Sequence, residues 1–443
     1  MSEMGNHNSN QVAGAHFARA ALHTQEHGTR DKHARVLNCG IVGAFICLIA
    51  SFAGFWVLDH LNLPLSSALQ LDRDRSNLEG KEYARFPELG LAALSDSEFQ
   101  DGVESFINDR MPRRDDILLL NASWQRGLIS CSAAVHDFSV YSTFYGSAYV
   151  YDADNDAIYA LLDDADEYAC AQYDASADAF TSYAASRPET NFYFYRVDRL
   201  SSSSNNPTNN LMNNVVNTGF LTDHFFNRLQ GIEVIDGLQS SQDESINVFF
   251  RTDHHWNGLG AYDAYIDMFS AMQPEAEPLR DVQYVTFNDP DFYGSCARAG
   301  LCMTNAADII EDYTFDMTGF RVWINGEEVG AQALQHTQLY ADHGWDDDRF
   351  RNRYAEYWHT DYAIIQIENP ASTSDESLLI VRDSFSAPVE RYFADYYRNV
   401  YVVDPRYFDA SLDDCLEDYG PDDVLFLMGS TTFASDNAVQ FLS

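Results

Sequence analysis

The chain has 443 residues, 46% of them hydrophobic, with 29 Phe and 26 Tyr, which is enough apolar material for one large packed domain or two ordinary ones. Its 68 acidic residues against 27 basic ones give a formal charge of -41. That balance argues against a nucleic-acid partner, which needs a basic footprint to displace counterions, and an anionic membrane surface would repel it too.

Residues 1 to 35 are polar and rich in Asn, His and Ala, and read as a cytoplasmic tail. From Val36 to Leu58 no residue is charged, and at about 1.5 Å per residue this run is long enough to cross a bilayer core of roughly 30 Å. Arg30, Lys32 and Arg35 precede the run and Asp59 follows it, so the positive-inside tendency predicts a single-pass anchor with the N-terminus in the cytoplasm. A cleaved signal peptide would have a shorter apolar core and a small-residue cleavage site. Residues 59 to 79 then form a stalk, and 80 to 443 an extracytoplasmic domain at the cell membrane.

Beyond the stalk, "SEFQDGVESFINDRMPRRDDILLLNASWQRGL" has helical spacing with a break at Pro112. Ala157 to Ser186 reads as a second helical stretch, ended by Pro188. The pattern then changes to short apolar runs: "NFYFYRV", "GIEVID", "INVFF", "YAIIQI", "SLLIVRDS", "NVYVVD" and "VLFLMG". Several are continuous rather than alternating, as strands buried on both faces of a mainly parallel sheet would be. Helical stretches lie between them, including "GLGAYDAYIDMFSAM" and "APVERYFADYY", so the chain is expected to be an α/β sandwich. "RVWINGEEVG" carries Asn-Gly between extended residues and predicts an inserted hairpin.

Cys39 and Cys47 fall in the apolar span, leaving Cys131, Cys170, Cys296, Cys302 and Cys415 beyond it. Cys296 and Cys302 are close enough in sequence to close a small loop in an oxidising compartment. There is no CxxC pair or zinc-ribbon spacing.

The chemistry is concentrated in "FFRTDHHWNGLG", Phe249 to Gly260. Asp253 and His255 are two apart, so in an extended segment they share a side, where a carboxylate can fix one imidazole nitrogen and leave the other free to take a proton. His254 would then face the opposite way. A metal site from Asp253, His254 and His255 would need a turn and further ligands, and no metal or other cofactor is expected. The nucleophile candidate is Ser384, at the end of the buried run Leu378 to Val381 and just before a helix beginning after Ser386 or Pro388. Its backbone N–H near a helix start would also suit an oxyanion. The plainer reading is that Ser384 or Ser386 serves only as an N-cap.

"RTDHHWNGLGAY" followed by "RDSFS" resembles the DHHW protein family, itself similar to the SGNH-hydrolase-like proteins that O-acetylate alginate and other exported polysaccharides. "EYARFP" (Glu82 to Pro87) and "INDRMPRRD" (Ile107 to Asp115) also resemble segments those proteins carry after their membrane anchor. The resemblance implies an SGNH-hydrolase-like three-layer sandwich preceded by one transmembrane helix. It assigns Asp253, His255 and Ser384 as a catalytic set, with Asp383 preceding the serine as in an Asp-Ser pair. Gly294 in "FYGS" becomes the candidate for a further oxyanion donor beside Ser384, ahead of the "GSTTF" stretch. The implied function is an O-acetyltransferase or acetylesterase acting on a cell-envelope polysaccharide, with a multi-pass membrane acyltransferase as donor partner. The alternative is a non-catalytic envelope protein that binds a glycan or a partner in the same cleft. On either reading Trp256 is a candidate sugar-stacking surface.

Overall fold

The computed structural model describes residues 73–87, 97–143, 149–161, 167–197, 220–238, 245–331, 350–357 and 361–442. The expected anchor, Val36 to Leu58, lies outside them. Among the described residues no helix is long and apolar enough to cross a membrane.

The chain divides into two compact units, one comprising Met1–Asp74 with Tyr83–Arg114 and the other Arg75–Glu82 with Asp115–Ser443. In the first, the helix Ser97–Asp109 meets the stretch before it. Asp109 accepts a hydrogen bond from Ala84 N at 2.9 Å, and the Arg110 guanidinium donates to Ala84 O at 2.6 Å while lying 4.3 Å from the Phe106 ring centroid. Phe86 meets Phe106 edge-on at 5.3 Å. "EYARFP" and "INDR" therefore clasp each other. The helix ends as predicted before Pro112, where Arg113 takes φ 51°, and a new helix runs over Arg114–His136.

The second unit is built on an eight-stranded sheet. In chain order its strands are β1 (Asn191–Tyr195), β2 (Glu233–Ile235), β3 (Arg321–Ile324), β4 (Glu327–Gly330), β5 (Ile364–Glu368), β6 (Ser377–Arg382), β7 (Asn399–Val403) and β8 (Asp423–Leu427). They lie in the spatial order β4-β3-β5-β7-β6-β8-β1-β2. The five strands β7, β6, β8, β1 and β2 are parallel, and β5, β3 and β4 extend that sheet antiparallel. The turn from β3 to β4 is the predicted Asn-Gly, with φ 49° at Asn325 and 83° at Gly326, the left-handed pair that a two-residue hairpin requires.

Every residue of β6 and β8 is buried, which explains their continuous apolar sequences. Leu378 and Ile380 point to one core with Ala261, Tyr265 and Phe269 of the helix Gly258–Met272. Leu379 and Val381 point to the other, with Ala177 and Phe180 of Glu167–Ser186, Leu412 and Cys415 of Leu412–Tyr419, and Phe433. Phe180 meets Phe426 of β8 edge-on at 5.0 Å. Helices thus cover both faces of the sheet, a mixed α/β fold.

Three expectations need correction. Ala157–Ala160 is a strand paired antiparallel with Tyr149–Asp152, and the helix starts only at Glu167; the β-branched and aromatic pair Ile158-Tyr159 outweighs the alanines around it. "INVFF" is a single helical turn, Ser245–Val248, followed by an isolated bridge from Phe249 to Trp256. "APVERYFADYY" forms a 3-10 turn, Glu390–Asp395, joined to the preceding one, Ser384–Ser386, by bonds such as Val389 N to Ser386 O at 2.7 Å. Pro388 brings no N–H to an α-helical ladder there, and the tighter pattern results. Cys131, Cys170, Cys296, Cys302 and Cys415 are free thiols.

Candidate active site

The Asp-His-His segment is a closed loop rather than an extended strand. Phe249 bridges Trp256, Phe250 N donates to His255 O at 3.2 Å, and Asn257 N donates to Val248 O at 3.1 Å. Asn257 then caps the helix Gly258–Met272, its side chain accepting from Leu259 N and Gly260 N. Asp308 holds the other shoulder of the loop, accepting from Arg251 N at 3.0 Å, Thr252 N at 2.8 Å and the Thr252 hydroxyl. Burial raises the Asp308 carboxyl to about 6, against those hydrogen bonds.

Inside this loop Asp253 Oδ1 lies 2.6 Å from His255 Nδ1, and His255 Nε2 lies 2.8 Å from Ser384 Oγ. Sequence separation of 129 residues is closed by the sheet, because Ser384 follows the carboxyl end of β6. Asp253 and His255 are buried, at 2% and 6% exposure, so their contact is little screened by water. Burial pushes the Asp253 carboxyl up, but the electrostatic pull of the adjacent His255 and His254 rings with hydrogen bonds from His255 and Ser295 N outweighs it and holds it well below the usual carboxylate range. An ionised Asp253 accepts a hydrogen bond from Nδ1–H of His255, leaving Nε2 to accept from the Ser384 hydroxyl.

The serine turn is stitched to the sheet by Asp383. Its carboxylate accepts from Phe385 N at 3.0 Å, Gly429 N at 2.8 Å and the Thr432 hydroxyl at 2.8 Å. Tyr354, which the sequence did not single out, stacks on the His255 ring at 3.8 Å and donates its hydroxyl proton to Ser384 O at 3.0 Å. Burial, with Asp253, Asp383 and Asp361 nearby, pushes its phenol well above the usual range, so it remains a neutral donor. Tyr354 sits in a short 3-10 stretch, Arg353–Tyr357, whose sequence has no periodicity to mark it. His255, Ser384, Tyr354, Asn352 and Asp361 line an open cleft of about 180 Å³.

Three sequence assignments change on this geometry. Gly294 N donates to the Thr252 hydroxyl at 2.8 Å, so it is already committed and is no oxyanion donor. A Cβ there would fall 2.4 Å from Asp253 Cβ, and its lack of a side chain is what lets Ser295 N reach Asp253 Oδ2 at 2.6 Å. The other candidate stretch, "GSTTF", likewise gives its Gly429 N–H to Asp383. Trp256 is 0% exposed, with its indole N–H donating to Phe385 O at 3.0 Å and its ring against Tyr195 and Phe385. It joins the histidine loop to the serine turn and offers no face to a sugar.

His254 does not point away from its neighbours either. Its ring lies 3.8 Å from that of His255, its Nδ1 is 2.7 Å from the Ser295 hydroxyl and 3.5 Å from Asp253 Oδ1. The bend supplies the turn that a metal site would need, and donor atoms of Asp253, His254 and His255 lie within 4.8 Å of one another. Among the described residues no fourth His, Cys, Asp or Glu joins this group. An ion on His255 Nδ1 would also displace the proton shared with Asp253.

A solved DHHW family protein from Eubacterium siraeum is similar in structure, with a TM-score of 0.51 and 20% identity over 67% of this chain and 95% of that one. Bacillus cereus PatB1, solved with a sulfonyl adduct, has a TM-score of 0.51 and 17% identity over 65% of this chain and 96% of that one. The O-acetyltransferase domain of Pseudomonas putida AlgJ is a looser match, with a TM-score of 0.34 and 10% identity over 69% and 98%. No curated protein sequence matches the chain. Residues 200–403, the stretch that holds Asp253, His255 and Ser384, match the DHHW protein family.

Proposed function

We propose that the protein is a membrane-anchored extracytoplasmic serine acyl-transfer enzyme, an O-acetyltransferase or acetylesterase acting on a cell-envelope or exported polysaccharide. The observation that carries this reading is the relay of 2.6 Å from Asp253 to His255 and 2.8 Å from His255 to Ser384. Serine is a poor nucleophile until a positioned base removes its proton, and a carboxylate keeps that base in the useful tautomer.

In the proposed cycle His255 Nε2 takes the Ser384 proton as Oγ attacks the acyl carbonyl. The tetrahedral oxyanion would be held by Ser384 N–H. Collapse breaks the bond to the leaving oxygen, which receives the proton from His255, and leaves an acetyl ester on Ser384. A sugar hydroxyl or water then gives its proton to His255, attacks that ester and releases the serine. A cleft of about 180 Å³ leaves room for an acetyl group beside Ser384. The donor would be a multi-pass membrane acyltransferase, and Val36 to Leu58 would hold the enzyme beside it at the cell membrane, N-terminus inside and domain outside.

Hydrolysis of a small activated acetyl ester tests this reading. Ser384→Ala and His255→Ala are each expected to lower kcat by about 10⁴-fold or more, with Asp253→Asn following closely. His254→Ala should leave most of the activity, and a chelator should leave all of it. Full activity in Ser384→Ala would end the acyl-enzyme reading, and loss on chelation with equal loss in His254→Ala would replace it by a metal site.

A further inference from the structure

A second cleft, of about 530 Å³, opens at the same edge of the sheet as Ser384, beyond the carboxyl end of β7. Its lining includes Arg406, Tyr407, Ser411, Asn437 and Gln440. Arg406 links it to the catalytic cleft, since it pairs at 3.1 Å with Asp361, which lines that cleft. From this arrangement we infer that the second cleft is the acceptor subsite and takes an uncharged saccharide. The inference rests on the acyl-transfer reading for its purpose, but not for the existence of the site.

The chemistry of the lining supports this ligand class. Tyr407 is 55% exposed, and the Arg406 guanidinium lies 5.2 Å from its ring centroid. A tyrosine ring that stays half-open presents a flat apolar face with a polar tip, which fits the C–H face of a pyranose and its hydroxyls. Asn437 and Gln440 are three apart on the helix Asp436–Phe441, so both amides project from one face, and each amide can donate to and accept from sugar hydroxyls. Both are exposed at the cleft.

Charge selects against a polyanion. Among the described residues Arg406 is the one basic residue lining the cleft, and it already faces two carboxylates, Asp404 at 2.6 Å and Asp361 at 3.1 Å. Asp409 and Asp414 lie on the lining, and the chain as a whole carries -41. A uronate chain would meet repulsion with no uncommitted cation to offset it.

The test is calorimetric titration of full-length protein carrying Ser384→Ala with cellohexaose, chitohexaose and a galacturonate hexamer. At least one neutral hexamer should bind, the galacturonate should not, and Tyr407→Ala and the double change Asn437→Ala with Gln440→Ala should each weaken binding roughly ten-fold. In the Ser384-containing protein, Tyr407→Ala should leave turnover of the small activated ester unchanged, because that substrate needs only the catalytic cleft. Failure of both neutral hexamers to bind, equal or tighter binding of the galacturonate, or unaltered affinity in both sets of variants would overturn the inference. Saccharide binding without any ester turnover would instead uphold the subsite and count against the acyl-transfer reading.

Discussion

Replacing Gly294 by alanine puts the strain directly on the relay. A methyl group at this position would lie 2.4 Å from Asp253 Cβ, 2.5 Å from Asp253 Oδ2 and 2.8 Å from Asp253 Cα, whereas ordinary contact begins near 3.4 Å. Asp253 and Gly294 must therefore separate by about 1 Å, a displacement that in reacting geometry costs on the order of 10²-fold in rate. Neither side yields freely. Gly294 N is held by the Thr252 hydroxyl, Ala297 N by Thr252 O, and Ser295 N by Asp253 itself. Overpacking of this kind is also expected to cost about 1–3 kcal/mol of stability. The assay is initial-rate hydrolysis of an activated acetyl ester alongside a urea denaturation curve. The expected result is a fall of about 10²-fold in kcat with a modest change in KM, since the alteration acts on the base and not on the ester's contacts. Because alanine keeps the backbone N–H, wild-type kcat and an unchanged urea midpoint would refute the close-packing role assigned to Gly294.

Trp256→Phe removes the indole donor to Phe385 O in a fully buried site and is expected to cost about 2–4 kcal/mol in thermal or urea unfolding, with saccharide affinity unchanged; lost affinity at full stability would restore the sugar-stacking role. Arg391→Met leaves the buried Asp312 carboxylate without the guanidinium that meets it at 2.5 Å, for an expected loss of about 3–5 kcal/mol, and adding Asp312→Asn should recover part of it; a neutral single variant would contradict this. Asp308 titrates near 6 in the fold, above its unfolded value of about 4, so its contribution to stability is complete below about pH 4 and is lost as pH rises through 6. The stability difference between wild type and Asp308→Asn should accordingly shrink from pH 4 to 6 and then level off, and a difference that grows over that window would contradict the assigned shift.

Much of this arrangement was legible in the residues because its signals are local. The continuous run Ser377–Arg382 read as a strand buried on both faces, and "GLGAYDAYIDMFSAM" as the helix Gly258–Met272. The pairing of Asp253 with His255 was anticipated for the wrong reason: it arises in a bend closed by the Phe249 to Trp256 bridge, and the same bend brings His254 alongside. What the sequence hid depends on contacts between distant segments. Trp256 is consumed by Phe385, Gly294 by Thr252 and Asp253, and Tyr354 reaches both His255 and Ser384 from a stretch with no pattern of its own. Short apolar runs such as "INVFF" are ambiguous between strand and helix, and here tertiary packing decided for a single helical turn.

The central claim is that Ser384 becomes acylated with His255 as its base. The most direct measurement is rapid acid quenching of the enzyme during turnover of an activated acetyl ester, followed by peptide mass spectrometry. The account predicts one acetyl group, on the peptide carrying Ser384, formed in a burst by the wild type, far more slowly by His255→Ala and not at all by Ser384→Ala. Acetyl on another residue, or product formation in Ser384→Ala at the wild-type rate, would contradict it.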